Sequence, residues 1–501
     1  MNGIRAIFSV YDKTGIVSLA QSIISCGGVI YSSGGTFRYL QEHLTTRDMG
    51  KSSLIRISDF TGAPEILGGR VKTLHPKIYG GILARDDQLP ELQELDIPKI
   101  DLVVCNLYPF FDKQTIENID IGGVSLIRAA GKNYQNTTVL TRPDQYPDYE
   151  VFLKENSARK ALAADAFRYV TAYDAAITNF LMDEPEEGTG GTGGPHTIVK
   201  IYQQQFPLKY GLNPYQGSAG MYSEYGTELP YTVLNGTLGY INALDAIYGW
   251  SLALELSKGV GTSCTSYKHN SPAGVAHGDT PLEAFQRCRN CDPKSSFGDF
   301  MAINTIVDLE CAEAIKKVVS DGIIAPGYSP EALTVLSKKK KGKYVILQGR
   351  NETGTSGRLE IRDMHGMCLV QEANCESLDE LSPTERLGMI TLKYTQSNSV
   401  CMVYQDQVIG IGAGQQSRVD CVKLAGEKAR EWFTRNAVEM GGITMASDAF
   451  FPFPDSIHVA KEYGVTHVVQ PGGSVRDEQV WQAVREHNMT MTMCDKRMFL
   501  H

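Results

Sequence analysis

Three short segments of this chain hold residue types that together suit an anionic substrate. Arg70-Val71-Lys72-Thr73-Leu74-His75-Pro76 packs two cations, a hydroxyl and an imidazole into one stretch. By itself that run reads as a polar loop stopped by proline. Lys13-Thr14 and Ser33-Gly34-Gly35-Thr36 lie upstream. Glycines let the backbone approach closely, and free N–H groups at a helix start hold phosphate. SGGT alone is as often a tight structural turn, but donors from three separate loops make an anion pocket the better explanation. A further cluster is Asn106-Leu107-Tyr108-Pro109-Phe110, followed by Asp120-Ile121-Gly122-Gly123 and Lys132-Asn133. A tyrosine, a carboxylate and a lysine held together can move protons in a ring closure. Taken singly, Tyr108 is a packed aromatic and Asp120 a helix cap.

The second half offers Tyr267-Lys268-His269-Asn270-Ser271-Pro272-Ala273-Gly274. Histidine takes a proton near neutral pH and the adjacent lysine supplies a fixed cation. A lone Lys-His pair usually means surface polarity; placed before Pro and Gly turn residues it becomes a candidate site loop. Polar blocks follow at 295–299, 393–398 and 412–418, each of which could equally be a capped turn. The pair Cys288 and Cys291 has CxxC spacing, but a zinc site needs more ligands and no matching second pair occurs.

The elements that must position these residues follow from periodicity. Buried strands are predicted at 4–10, 29–33 and 101–107, with helical spacing at 14–26 and 144–180. Strands alternating with helices imply a mostly parallel sheet, whose ligands gather just past the strand ends. A glycine-rich polar stretch, 184–197, reads as a linker. Beyond it, strands are predicted at 344–348 and 466–470 and helices at 281–288, 310–319 and 419–432. The lysine run 338–341 reads as a solvated loop rather than a binding site.

The chain has 501 residues, enough for two to four domains. Its net charge of −9 argues against a nucleic-acid or membrane surface, so an anionic ligand needs a local set of donors. No secretory signal or long apolar run is visible, and eleven scattered cysteines suit a reducing compartment, so a cytoplasmic protein is expected.

With these blocks in view, the N-terminal part closely resembles the inosine monophosphate (IMP) cyclohydrolase family. The matching stretches are SVYDKTG, SSGGT, GGRVKTLHPKIYGGILAR, CNLYPF and DIGGVSLIRAAGKN, in the family's order. The resemblance implies a methylglyoxal-synthase-like α/β domain over residues 1–183 that closes a formylated carboxamide ribonucleotide, FAICAR, to IMP with loss of water. Carried over by position, Lys13, Ser33, Gly35, Thr36, Arg70, Lys72 and Thr73 would hold phosphate and ribose. Tyr108, Asp120, Gly122 and Lys132 would surround the reacting atoms, with Lys72 and Lys132 stabilising charge on oxygen. Tyr11 stands where many relatives have a small hydroxyl residue.

LKYGLNPYQ, YKHNSPAGVA, SSFGDF, KYTQSNSV, IGAGQQSRVDCVKLAG, SDAFFPFPDSI and QPGGSVRD resemble the aminoimidazole carboxamide ribonucleotide (AICAR) transformylase family. That implies two cytidine-deaminase-like α/β subdomains, 198–380 and 381–501, without that fold's zinc signature, so no catalytic metal is expected. The co-substrate implied is 10-formyltetrahydrofolate. His269 would take a proton from the substrate amine, Lys268 would assist transfer to folate, and Asn398 would orient the formyl group. Lys209, Tyr210, Phe297, Asp321, Arg418, Phe450, Arg497 and His501 would bind the ribonucleotide; Phe453 and Asp455 would face folate. Lys209 replaces a usual arginine, keeping the charge without the bidentate fork, and Tyr215 replaces a usual histidine. The resemblance implies AICAR, FAICAR, IMP and reduced folate as ligands and a homodimer as the assembly. Two other readings stay open at this point: a nucleotide-binding regulatory relative, and a cyclohydrolase with a scaffold second half.

Overall fold

Along β1 (Arg5–Ser9) the side chains alternate between two cores. Ile7 packs with Val103, Cys105 and Val139, while Ala6 and Phe8 pack with Leu102, Val104 and Leu140. Two-sided burial of this kind is what a parallel sheet covered by helices on both faces requires. β2 (Val29–Ser32), β3 (Leu54–Arg56), β4 (Leu102–Cys105) and β5 (Thr138–Leu140) complete the sheet in the order β3-β2-β1-β4-β5, every pair parallel. Between successive strands lie α1 (Ile16–Ser25), α2 (Gly34–His43), α3 (Ile57–Thr61), α4 (Pro76–Leu83), α5 (Leu89–Glu94) and α6 (Gly122–Lys132). α7 (Tyr149–Lys154) and α8 (Asn156–Met182) follow β5. Because the strands share one direction, the loops after β1, β2 and β4 emerge at one edge of the sheet.

These elements come from a computed structural model that describes residues 3–45, 53–182, 197–257, 261–350 and 359–501. Residues 184–196 of the expected linker lie outside the described residues. The chain divides into two units, Met1–Gln203 with Glu224–Thr227, and Gln204–Ser223 with Glu228–His501. The single helical stretch expected at 144–180 is instead a 3₁₀ turn, Pro143–Asp148, then α7 and α8, with Glu155 extended between them. Pro147, inside that turn, has no N–H to carry the helical ladder on.

β6 (Tyr202–Pro207) and β7 (Gly220–Glu224) form a small two-stranded sheet. β8 (Tyr231–Asn235) edges a larger sheet in which one pattern occurs twice. The first copy runs α9 (Tyr240–Leu256), β9 (Thr262–Lys268), β10 (Ser271–Gly278), α10 (Pro281–Cys291), β11 (Asp299–Ile303), α11 (Leu309–Lys316), β12 (Ser320–Ala325), α12 (Pro330–Ser337) and β13 (Val345–Gly349). After the hairpin of β14 (Leu359–Met364) and β15 (Met367–Glu372) comes the second copy. It runs α13 (Pro383–Lys393), β16 (Val400–Tyr404), β17 (Gln407–Gly412), α14 (Arg418–Asn436), β18 (Ile443–Ser447), α15 (Asp455–Glu462), β19 (Val465–Gln470), α16 (Asp477–Glu486) and β20 (Thr490–Met493). In each copy an antiparallel hairpin is followed by one antiparallel and two parallel neighbours. β10 pairs with β17, joining the copies into one 11-stranded sheet.

The lysine run departs from the solvated loop expected of it. Lys339 donates to the carbonyls of Ile315 and Val318 and to Ser320 Oγ, each at 2.8 Å, and burial pushes its ammonium down to about 8. Lys340 pairs with Asp321. A charge run is solvated only where no carbonyl cluster faces it, and here the ends of α11 and β12 supply one. Among the described residues no helix is long and apolar enough to cross a membrane.

Candidate functional site

The loop after β1 is fixed by side chains from neighbouring strand ends. Asn106, just past β4, accepts the Tyr11 and Asp12 N–H groups through Oδ1 at 2.6 and 2.9 Å and donates to Asp12 O at 3.1 Å. Thr36, in the first turn of α2, accepts from Val10 N at 3.2 Å and donates to Val10 O at 3.0 Å. Lys13 is thereby held with its ammonium on the Val10 and Tyr11 carbonyls. Burial lowers its pKa; Asp12 opposes that shift and Lys72 adds to it.

These loops border a cavity of about 640 Å³. Lys13, Ser33, Gly35, Thr36, Arg70, Lys72, Thr73, Tyr108, Asp120 and Gly122 all line it. Asp120 accepts from Gly123 N at 2.7 Å and from Tyr108 N. Burial nonetheless carries its carboxyl above the usual range, against those two bonds and the Lys72 charge. Gly122 is required where it stands, since a Cβ there would lie 2.6 Å from Thr73 Oγ1. Arg70 pairs with Glu117, and with 63% and 72% of these side chains exposed the pair is worth at most about 1 kcal/mol. Its guanidinium is therefore cheaply released to a stronger anion.

Lys132 is not on this wall. It is the last residue of α6, whose first residue is Gly122, so it sits about 15 Å along the axis and exposed. The motif is continuous in sequence, but within one chain the helix sets its two ends about 15 Å apart along the axis. Tyr11 and Glu117 line the cavity without having been assigned to it, and the Tyr11 ring meets that of Tyr108 edge-on at 5.9 Å. Tyr11 had a signal, since it directly precedes the Asp12-Lys13 loop; Glu117, in an undistinguished polar stretch, had none.

In the C-terminal unit, β9 and β10 are joined by a two-residue turn, with Lys268 opposite Ser271. Its central residues, His269 and Asn270, have φ of 55° and 59°, the left-handed pair that a tight hairpin turn needs. Asp245 on α9, buried and with its carboxyl pushed up by that burial, accepts the Asn270 N–H at 2.8 Å. Lys268 Nζ donates to Phe297 O at 2.7 Å. Lys268, His269, Ser295 and Lys428 then border a second cavity of about 270 Å³, floored by Pro272, Ala273, Ile411 and Leu424. Lys428 went unassigned in the sequence because nothing but its helix face distinguishes it.

Asn398 does not border that cavity. Its Nδ2 donates to the Gln415 and Gln416 carbonyls at 3.0 and 3.1 Å, and its Oδ1 accepts from Arg418 Nη2 at 2.8 Å. Cys421 Sγ donates to Asn398 O at 3.1 Å, whereas Leu424, farther along α14, borders the cavity. From Arg418 to Leu424 the helix rises about 9 Å. Within one chain, Lys268 and His269 line this cavity and Asn398 does not.

Arg418, expected to bind the ribonucleotide, is held by groups of the chain itself. Buried, it pairs with the fully buried Asp448 and donates to Ser447 Oγ at 3.0 Å. Asp448 further accepts from Ser397 Oγ at 2.6 Å and Ser399 N at 3.0 Å. The terminal segment joins this network through Leu500, whose carbonyl accepts from Ser397 N at 2.9 Å. Beside it the Arg497 guanidinium stacks on Phe499, whose ring also meets His501.

The remaining expected ligands are exposed, except Tyr210 and Asp321, which are half-buried. Phe297, Phe450 and Phe453 are exposed aromatics, and Arg476 covers the Phe453 ring at 4.4 Å. Asp455 opens α15, accepting from Ser456 N at 2.7 Å. Asp321 is bound by Lys340 and by Asn242 Nδ2 at 3.4 Å; Lys209 lies over the Tyr210 ring at 5.6 Å. Cys288 and Cys291 are buried under the hairpin, their thiols donating to the Gly274 and Val275 carbonyls.

Comparison with known proteins adds the following. Residues 15–133 match the model of the MGS-like domain, and residues 130–428 that of the AICARFT/IMPCHase bienzyme. The chain is similar to the bifunctional purine biosynthesis protein PurH of Clostridium botulinum, strain Kyoto / Type A2, at 37% identity over 529 residues, covering 99% of each. The PurH protein of strain Okra / Type B1 matches with the same identity and coverage. Among solved structures, the crystal structure of ForH is 35% identical, covering 36% of this chain and 96% of that one, with a TM-score of 0.31.

Proposed function

The chain belongs to the AICARFT/IMPCHase bienzyme family, and from that premise we propose that it transfers a formyl group to AICAR on its C-terminal unit and closes the product to IMP on its N-terminal unit. The observation that carries the residue assignment is the N-terminal cavity, which gathers ten of the expected ligands from loops at one sheet edge.

In the first reaction the AICAR amine attacks the formyl carbon of 10-formyltetrahydrofolate. The amine loses a proton, the carbon–N10 bond breaks, and N10 gains a proton. His269 takes the first proton, and Lys268, about one residue's reach away on the same turn, stabilises the oxyanion and supplies the second. Phe453 and Asp455 face folate; Lys209, Tyr210, Phe297, Asp321, Phe450, Arg497 and His501 hold the ribonucleotide. Arg418 acts through Asn398, whose amide it fixes. In the second reaction the carboxamide nitrogen attacks the formyl carbon and the resulting hydroxyl leaves as water. Lys13, Ser33, Gly35, Thr36, Arg70 and Thr73 hold the phosphate and ribose end, so the reacting ends meet without a search. Lys72 stabilises charge on oxygen while Asp120 and Tyr108 exchange protons with the ring atoms.

The reading includes a homodimer in the cytoplasm. One chain leaves Asn398 outside the cavity of Lys268 and His269, and a second chain can bring one there. β15 is exposed along its length, Met367 by 64% and Leu369 by 59%, as a partnered strand requires. All eleven cysteines are free thiols, which suits a reducing compartment. Light scattering should give twice the chain mass; a monomer would withdraw the dimer. The activities are tested by following folate deformylation with AICAR and, separately, IMP appearance from FAICAR. Formyl transfer without IMP would remove the N-terminal assignment.

A further inference from the structure

The loop between α3 and α4 carries Arg70, Lys72 and Thr73, and its turn at 66–71 is bonded to itself. Leu67, Gly68 and Gly69 have φ of 54°, 63° and 93°, Ile66 and Leu67 are exposed, and the turn closes on itself through the Ile66–Val71 bridge and bonds from Gly69 N to Ile66 O at 3.0 Å and Arg70 N to Leu67 O at 3.2 Å. Side chains fasten it across the cavity. At one side Arg70 meets Glu117. At the other, Glu65 Oε1 accepts the Gly34 N–H at 2.8 Å.

Gly34 is the first residue of α2, so its N–H has no acceptor within the helix. A Cβ on residue 34 would lie 2.5 Å from Glu65 Oε1, so the contact depends on glycine there. Ser33, Gly35 and Thr36 border the cavity and Gly34 does not. Glu65 therefore satisfies the one helix-start donor that is off the cavity wall, and leaves its neighbours to a ligand.

We propose that Glu65 is a positioning residue for nucleotide binding in the N-terminal cavity, fastening the loop of Arg70, Lys72 and Thr73 to the phosphate-binding start of α2. The inference rests on the assignment of ring closure to that cavity. Charge alone argues for the opposite effect, because a carboxylate beside a helix start offsets part of the potential that attracts phosphate. Geometry decides between them. The repulsion comes from one exposed, solvent-screened charge. Releasing the loop disperses three ligand donors at once.

The test is steady-state IMP formation from supplied FAICAR by the full chain and its variants. Glu65→Ala should raise the FAICAR KM about three- to fivefold, the scale of one charge–helix contact, with kcat little changed. Glu65→Gln keeps an oxygen acceptor and should restore KM. Glu65→Asp keeps the charge but withdraws it from Gly34, and should behave like alanine. Formyl transfer by the same preparations, which needs none of this loop, reports that they are folded. A KM unchanged or lowered in both Glu65→Ala and Glu65→Asp overturns the proposal, as does a fall confined to kcat. A wild-type chain that makes no IMP would overturn the cavity's assignment and the inference with it.

Discussion

Asp120 accepts two backbone N–H groups and faces Lys72, all of which favour its ionised form, yet burial outweighs them and its carboxyl titrates above the ordinary range. A carboxyl shifted upward keeps its proton to higher pH than an ordinary one. If its ionised form takes the proton in ring closure, kcat/KM for IMP formation falls as pH drops through a point above the usual carboxylate value. Asp120→Asn keeps an acceptor for Gly123 and should remove that limb while lowering kcat on the order of 10²-fold or more. A pH profile of IMP formation checks this, and an acid limb retained by the variant would assign it elsewhere. At this scale the sequence was legible wherever a residue type and its neighbours name a chemistry, as in Lys13, Arg70 and His269. It named Arg418 but not its pairing with Asp448, a partner from another strand end that no local pattern announces.

Elements decide where a correctly chosen residue points. The strands after which Lys13, Ser33 and Tyr108 stand were readable from apolar runs, and parallel order then brings their ends together. Lys132 shows the converse: it shares a motif with Asp120, but α6 separates them. α8 makes a contribution no motif disclosed. Its buried Tyr173 accepts the Asp120 N–H at 2.8 Å and donates to Asn118 O at 2.5 Å, pinning the loop that presents Asp120. Burial pushes that hydroxyl up to about 12, so it stays protonated and able to donate. Tyr173→Phe leaves both backbone groups without this partner. It should cost about 1–3 kcal/mol in chemical denaturation and lower the rate of ring closure without affecting formyl transfer. An unchanged closure rate in a destabilised variant would make Tyr173 purely structural.

At the scale of the molecule, two cavities lie on two separately packed units, one built on a five-stranded parallel sheet and the other on an 11-stranded mixed sheet. The α/β character and the parallel N-terminal sheet follow from alternating strands and helices. The duplicated pattern behind the second sheet does not, because its copies share order and pairing rather than a short sequence period. The proposed function gives each activity its own unit. It is tested most directly by one variant in both assays, with folate deformylation measured against AICAR and IMP formation against supplied FAICAR. His269→Ala removes the imidazole, and His269→Asn does so with a residue suited to the turn's positive φ. Both should lose formyl transfer and form IMP from FAICAR at the wild-type rate. Retained formyl transfer, or loss of both activities in the asparagine variant, would contradict the account.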